Sequence, residues 1–171
     1  AVLRAVKLNI FNKKVISGAS TLSMQVIRIL EGRKRTFASK IVETVHAIRL
    51  ERLYTKDDIL DLYFELAPYG GNIHGVKAAS LRDFNKLPKD LNLSECALIA
   101  GLPQSPTRFR PNRFPQRAKQ RRDSVLLSML NNKFISKVQY ERSLKEPVVA
   151  GSYSSPFKAP HFTRFVDSNS K

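Results

Sequence analysis

Gly18-Ala19-Ser20-Thr21-Leu22-Ser23-Met24-Gln25-Val26-Ile27-Arg28-Ile29 reads as a turn that opens into a two-faced helix. Leu22, Val26 and Ile29 recur at the i, i+4, i+7 spacing that stacks side chains along one helical face. Thr21, Gln25 and Arg28 repeat that spacing on a second, polar face. The same period runs through the sequence on either side, and the fold class it implies is mainly α.

Upstream, Val2, Leu3, Val6 and Ile10 place a helix over residues 1–11, and Gly18 and Ser20 punctuate the chain after it. Downstream, the basic stretch 31–39, with Arg33, Lys34 and Arg35, reads as a loop. A helix resumes near Lys40. Ile41, Val45 and Ile48 form its expected buried stripe, and Lys40, Glu43 and Ala47 line another face. Thr55 with Asp58 has the form of a capping box and opens a helix through Ile59, Leu60, Tyr63 and Phe64, which Pro68, Gly70 and Gly71 stop. Residues 75–85 make another short helix, and Ser94 is expected to cap a compact apolar one over 95–100. Pro103, Pro106, Pro111 and Pro115 mark an irregular connection to a helix over 116–130, with Asn131 as its left-handed stop. Ser136 with Gln139 is a second capping box, for a helix closed at Pro147. The sequence shows no strand-like alternation and no repeat of fixed period. One folding unit therefore covers 1–150, and the aperiodic Ser, Pro and aromatic residues of 151–171 read as a linker.

The 171 residues carry 30 Lys and Arg against 14 Asp and Glu, a formal charge of +16, so the partner is expected to be anionic: nucleic acid, acidic lipid headgroups or pyrophosphate. The densest run is Arg108, Arg110, Arg113, Arg117, Lys119, Arg121 and Arg122, with no acid between them. Such a run is ordinarily a solvated face, and it also suits anionic headgroups. Hydrophobic residues, 42% of the composition, argue against disorder. Cys96, the sole cysteine, excludes an intrachain disulfide and is expected in the core. His46, His74 and His161 are too scattered for a metal triad, and Gly70-Gly71 lacks the Lys-Ser or Lys-Thr of a P-loop. No run reaches the roughly 18 apolar residues that span a bilayer.

The segment from Gly18 to Arg28 resembles the second motif of the family 51 peptidoglycan glycosyltransferases of class A penicillin-binding proteins. Arg35-Thr36-Phe37, Lys40, Glu43, Ala47, Leu50-Glu51 and Lys56 are similar to the third motif and its continuation. Gly71, Gly75-Val76, Ala78-Ala79, Leu93, Glu95 and the stretch Ala100-Gly101-Leu102-Pro103-Gln104-Ser105-Pro106 resemble the family's downstream half. Arg121-Arg122 with Val125-Leu126 and Met129 matches its last motif. Gly-Ala before Ser20, and the compact spacing from Gln25 to Glu43, look most like the 1C subgroup. Phe64-Glu65 stands where the family usually carries Leu-Asn.

The resemblance implies a lysozyme-like domain that polymerises lipid II into glycan strands with release of polyprenyl pyrophosphate. It implies substrate binding by Ser20, Thr21, Gln25, Arg28, Arg35 and Lys40, for Arg122 either a contact to substrate phosphate or structural support of the site, and an assisting role near the leaving group for Glu43. It also implies a position on the periplasmic face of the bacterial cytoplasmic membrane. An N-terminal anchor and a transpeptidase domain are expected in the full-length protein, with the nascent glycan strand as a further partner. No cofactor is evident, although the family admits a divalent metal. The family's first motif, an acidic pair followed by an aromatic residue and a His, is expected before Ala1, and the general base with it.

Such a reaction needs a carboxylate to take the acceptor hydroxyl's proton, and cations to receive the departing pyrophosphate. Arg28, Arg35 and Lys40 supply the cations on two successive helices and the loop between them. By itself Glu43 would be a surface carboxylate paired with Lys40 at i, i+3, worth about 0.2–0.5 kcal/mol. A basic nucleic-acid-binding module is the first rival, but no helix-turn-helix or zinc pattern organises its cations, and nucleic acid is not the expected partner. A lysozyme-like lytic enzyme is the second, and it has no use for cations arranged around a leaving pyrophosphate. The chain of 1–171 is expected to show no polymerase activity by itself. Glycan synthesis from lipid II, followed by gel separation of the product, checks this, and the acidic motif added upstream is expected to restore it.

Overall fold

The computed structural model describes residues 20–32, 34 and 36–148. The expected helix over 1–11 and the expected linker over 151–171 lie outside them. Among the described residues the chain forms α1 (Leu22–Glu31), α2 (Phe37–Leu53), α3 (Lys56–Leu66), α4 (Val76–Phe84), α5 (Leu93–Gly101), α6 (Pro115–Asn131) and α7 (Lys137–Lys145). Short 3₁₀ turns occupy Pro88–Asp90 and Leu102–Gln104, and the single extended pairing among the described residues is an isolated bridge between Pro68 and His74. The mainly α expectation holds.

Local chemistry sets most helix starts. Thr21 Oγ1 accepts from the Met24 amide at 3.2 Å, and Thr36 Oγ1 from the Ser39 amide at 3.0 Å, each satisfying a first-turn donor that has no carbonyl partner. Thr55 with Asp58 and Ser136 with Gln139 form the reciprocal capping boxes read from the sequence. Two starts differ from expectation. Thr36 opens α2 at Phe37, ahead of Lys40, because the loop after α1 closes quickly through left-handed Gly32 (φ 58°). Asn92 with Glu95, not Ser94, caps α5 and leaves Ser94 buried inside the helix. At the other end of α6, Asn131 is still helical, and the left-handed residue is Lys133 (φ 62°).

Three apolar clusters hold the helices. Ala67, Tyr69, Ala79, Leu98, Ile99, Leu102 and Ala118 make the central one. Ala97, Leu126 and Ile135 join α5 and α6 to the segment that opens α7. Met24, Ile27 and Ala47, with Leu50 against them, join α1 to α2. The last cluster overturns the expected facing of α2. Ile41, Val45 and Ile48 are exposed (54%, 45% and 51%), whereas Glu43 and Ala47 are buried. Small Ala47 lets α1 approach, and Glu43 is drawn inward by a partner on α1. In α1 Val26 is buried as expected, but Leu22 is 40% exposed, and Met24 and Ile27 take its place. Cys96 is exposed, a correction to its expected place in the core.

The turn after α3 is fixed by backbone. The Tyr69 amide donates to Ile73 O (2.9 Å) and the Gly75 amide to Ala67 O (3.1 Å), while Arg82 donates to the carbonyls of Tyr69 and Gly70 and pairs with Asp83. Gly75 has φ 84°, and a Cβ there would stand 2.9 Å from the Glu65 carbonyl oxygen. It is therefore the backbone of Glu65 that shapes the turn, and its exposed side chain takes no part.

Arg122 is fully buried, in register with Ala118 and Leu126 on the inner face of α6. Its guanidinium pairs with Asp123 and donates to Ser94 Oγ (3.1 Å), Leu144 O (3.3 Å) and Glu146 O (2.5 Å). It thereby satisfies carbonyls at the end of α7 that have no helical partner and clamps α5, α6 and α7 together. Arg122→Gln is expected to lower the unfolding free energy by about 3 kcal/mol, since it strands several buried acceptors. Urea denaturation measures this.

Candidate active site

The partner that turns Glu43 inward is Arg28. Arg28 stands in the last turn of α1 and Glu43 in the second turn of α2, and they meet in a bidentate ion pair. Nε donates to one carboxylate oxygen at 2.8 Å and Nη2 to the other at 2.5 Å. The Glu43 side chain is 2% exposed and that of Arg28 26%, so the pair is shielded on the carboxylate side and open on the guanidinium side. Hydrogen bonds from Arg28 outweigh burial and hold the Glu43 carboxyl below its ordinary range; the charge of Lys40 adds to this and that of Glu31 opposes it. Glu43 is thus a fixed anion and not a proton shuttle.

Around the pair lies an open pocket of about 460 Å³, lined by Ser20, Arg28, Thr36, Phe37, Lys40 and Glu43. Arg28 Nη2 reaches Ser20 Oγ at 3.4 Å. Lys40 is exposed and makes no ion pair among the described residues, which leaves its ammonium to the pocket. Phe37, 83% exposed, adds an apolar edge. Arg28 also borders a smaller depression lined by Gln25, Ile29, Tyr63, Pro68 and Pro103, so its guanidinium stands between two recesses.

Of the residues nominated from sequence, Ser20, Arg28, Lys40 and Glu43 come together in the pocket, and Gln25 lines the adjoining depression. Thr21 is engaged in capping α1. Arg35 lies outside the described residues. Arg122 does not join them: it is enclosed between α5, α6 and the end of α7, where burial and four hydrogen-bond partners leave it no access to a ligand. Thr36 and Phe37 are pocket residues that the sequence does not nominate. Two further ties escaped the sequence reading. Glu51 accepts from buried Ser23 and pairs with Lys56 at 2.5 Å, binding α1, α2 and the start of α3, and His46 Nδ1 meets Glu31 Oε1 at 2.5 Å.

The arrangement presents cations to an incoming anion. Both Glu43 oxygens accept from Arg28, so the pocket holds no uncommitted carboxylate for a divalent cation. Among the described residues no group of three or more His, Cys, Asp or Glu is placed to hold a metal ion. The described residues by themselves do not fit such a group.

A family described as Transglycosylase matches residues 1–130. The chain is 40% identical over 171 residues to penicillin-binding protein 1C of Escherichia coli, covering 100% of this chain and 22% of that protein. It is 36% identical over 168 residues to penicillin-binding protein 1A of Haemophilus influenzae, covering 96% and 20%. A 2.6 Å crystal structure of penicillin-binding protein 1A from Haemophilus influenzae superposes with a TM-score of 0.59 at 40% identity, over 67% of this chain and 17% of that one. The chain therefore spans about a fifth of the length of the curated relatives it matches.

Because the folded Glu43 carboxyl titrates below its unfolded value, its stabilisation is fully present above about pH 4.3 and is lost as pH falls through the folded pKa. Glu43→Gln is expected to cost about 2–3 kcal/mol at pH 7, where Arg28 loses its charged acceptor. The gap from the unsubstituted protein should shrink steadily as the solution is acidified below that range. Denaturant titrations across the pH series measure it.

Proposed function

We infer the function from one premise, that the chain belongs to the transglycosylase family: the protein is a peptidoglycan glycosyltransferase that polymerises lipid II and releases polyprenyl pyrophosphate. The observation that carries this reading is the pocket where Lys40 makes no ion pair among the described residues and Arg28 is held by Glu43 with one edge exposed. A leaving pyrophosphate develops negative charge as the bond from the anomeric carbon to its oxygen breaks. Preset cations stabilise that charge without having to reorganise. Lys40 supplies a mobile ammonium, Arg28 a guanidinium locked in orientation, and Ser20 and Thr36 hydroxyl groups at the rim. Gln25, across Arg28, holds a sugar of the donor or of the growing strand, and Arg35 adds a further cation.

Glu43 assists by orienting Arg28. It does not take the acceptor's proton, since a carboxylate held below its usual pKa by two charged hydrogen bonds is a weak base. The base on this reading is the carboxylate expected before Ala1. Glycan hydrolysis, the other reaction run around a glutamate, has no use for cations arranged around a leaving pyrophosphate, and Arg28 and Lys40 line this pocket.

On the same premise the domain of 1–150 works at the periplasmic face of the bacterial cytoplasmic membrane, with the nascent glycan strand in its cleft and a transpeptidase domain beyond 151–171 in the full-length protein. No helix among the described residues is long and apolar enough to cross a membrane.

Titration calorimetry with a short polyprenyl pyrophosphate tests the pocket directly. Binding is expected, and Lys40→Ala should weaken it about 10- to 100-fold, the worth of one charge-assisted contact. Equal affinity for the corresponding polyprenyl alcohol would show that the pocket does not recognise pyrophosphate and would sink the reading.

A further inference from the structure

Charge and hydroxyl groups line most of the pocket between α1 and α2, and Phe37 is the apolar residue among them. It stands in the first turn of α2 with its ring almost wholly in solvent, and it belongs to none of the three apolar clusters. Ile41, Val45 and Ile48 follow it at i+4, i+8 and i+11, and all three are exposed. The row therefore starts at the pocket beside Lys40 and runs along the outer face of α2 for about 16 Å, at the helical rise of about 1.5 Å per residue. A contiguous apolar row of this kind marks a surface that something covers.

Where the row begins indicates what covers it. A row that starts in a cationic pocket and leads out of it suits a ligand with an anionic head and a long apolar tail, head and tail meeting at Phe37. A glycan carries too many hydroxyl groups to bury three aliphatic side chains in succession. A nucleoside would stack on Phe37, but it has nothing to offer Ile41, Val45 and Ile48.

We propose that Phe37, Ile41, Val45 and Ile48 seat the polyprenyl chain of the lipid-linked donor, Phe37 against the unit next to the pyrophosphate and the aliphatic residues against the units beyond it. The row thereby sets a preference for prenyl over soluble pyrophosphate esters. This rests on the glycosyltransferase reading and deepens it by assigning the residues that read the apolar part of the donor. The row lies outside the reacting centre. It holds the chain alike in the donor and in the departing prenyl pyrophosphate, so it selects the substrate without lowering the barrier of the chemical step.

Titration calorimetry of the 171-residue chain with inorganic, geranyl and farnesyl pyrophosphate, below the concentrations at which the esters form micelles, tests the assignment. Affinity is expected to rise along that series, by about tenfold for each isoprene unit buried on one side. Phe37→Ser is expected to reduce the ratio of geranyl to inorganic pyrophosphate affinity about tenfold, and V45S with I48S the ratio of farnesyl to geranyl affinity by a similar factor. Lys40→Ala lowers affinity for all three ligands and leaves the ratios in place. The substituted apolar side chains are exposed, and far-ultraviolet circular dichroism confirms that each variant is folded. Equal affinity for the three ligands, or ratios that persist in the folded variants, overturns the proposal and leaves pyrophosphate recognition standing. Failure of all three to bind removes the glycosyltransferase reading and the proposal with it. A dimer in sedimentation velocity that V45S with I48S turns into a monomer overturns the proposal in favour of a second copy covering the row.

Discussion

The arrangement of α1 and α2 depends on the ion pair between Arg28 and Glu43. A carboxylate buried to 2% exposure is tolerable only if its charge is met, and the bidentate guanidinium meets it with two hydrogen bonds. That requirement fixes the rotation of α2 about its axis. Once Glu43 faces α1, Ala47 follows one turn on and packs on Met24 and Ile27, and Ile41, Val45 and Ile48 are carried to the outside. The same rotation brings Lys40 to the rim of the pocket. One pairing therefore decides both the packing of the first two helices and the charge pattern of the site.

The pairing also divides the labour of charge. An arginine alone would swing on its long side chain and bind many anions loosely. Fastened by Glu43, its remaining donors point in one direction, which is pre-organisation obtained at the cost of part of its charge. Lys40, without such a restraint among the described residues, keeps its full charge and its freedom. A rigid fork beside a mobile ammonium suits a ligand whose charge grows and moves away during the reaction.

Among the described residues, helix existence and most helix starts were legible in the sequence because they are set within four residues. Thr55 with Asp58 and Ser136 with Gln139 carry their caps in plain view. The facing of α2 was not legible: the residues that settle it, Arg28 and Glu43, are fifteen apart, and hydrophobic periodicity alone chose the opposite face. Arg122 is the reverse case. Its family match left a ligand contact and structural support both open, and it sits at i+4 from Ala118 and i−4 from Leu126, with all three fully buried. That spacing signalled an interior arginine. Ser20, Arg28, Lys40 and Glu43 were legible as a site only through motif resemblance, since each by itself reads as a solvated surface residue.

The apolar cluster between α1 and α2 is small: Met24, Ile27 and Ala47, with Leu50 beside them. The other helices share larger clusters, and α5 to α7 have the Arg122 clamp in addition. Proteins open in cooperative units, and the unit with the least buried apolar surface opens at the lowest free energy. Among the described residues, the pair of helices that carries the pocket is the one held by the smallest apolar cluster. A ligand that bridges Lys40 on α2 and Arg28 on α1 adds to what holds the pair shut, so occupancy and local order rise together. On the proposed function the substrate would become a structural member of its own site, and release of pyrophosphate would loosen the helices just when the product must move on.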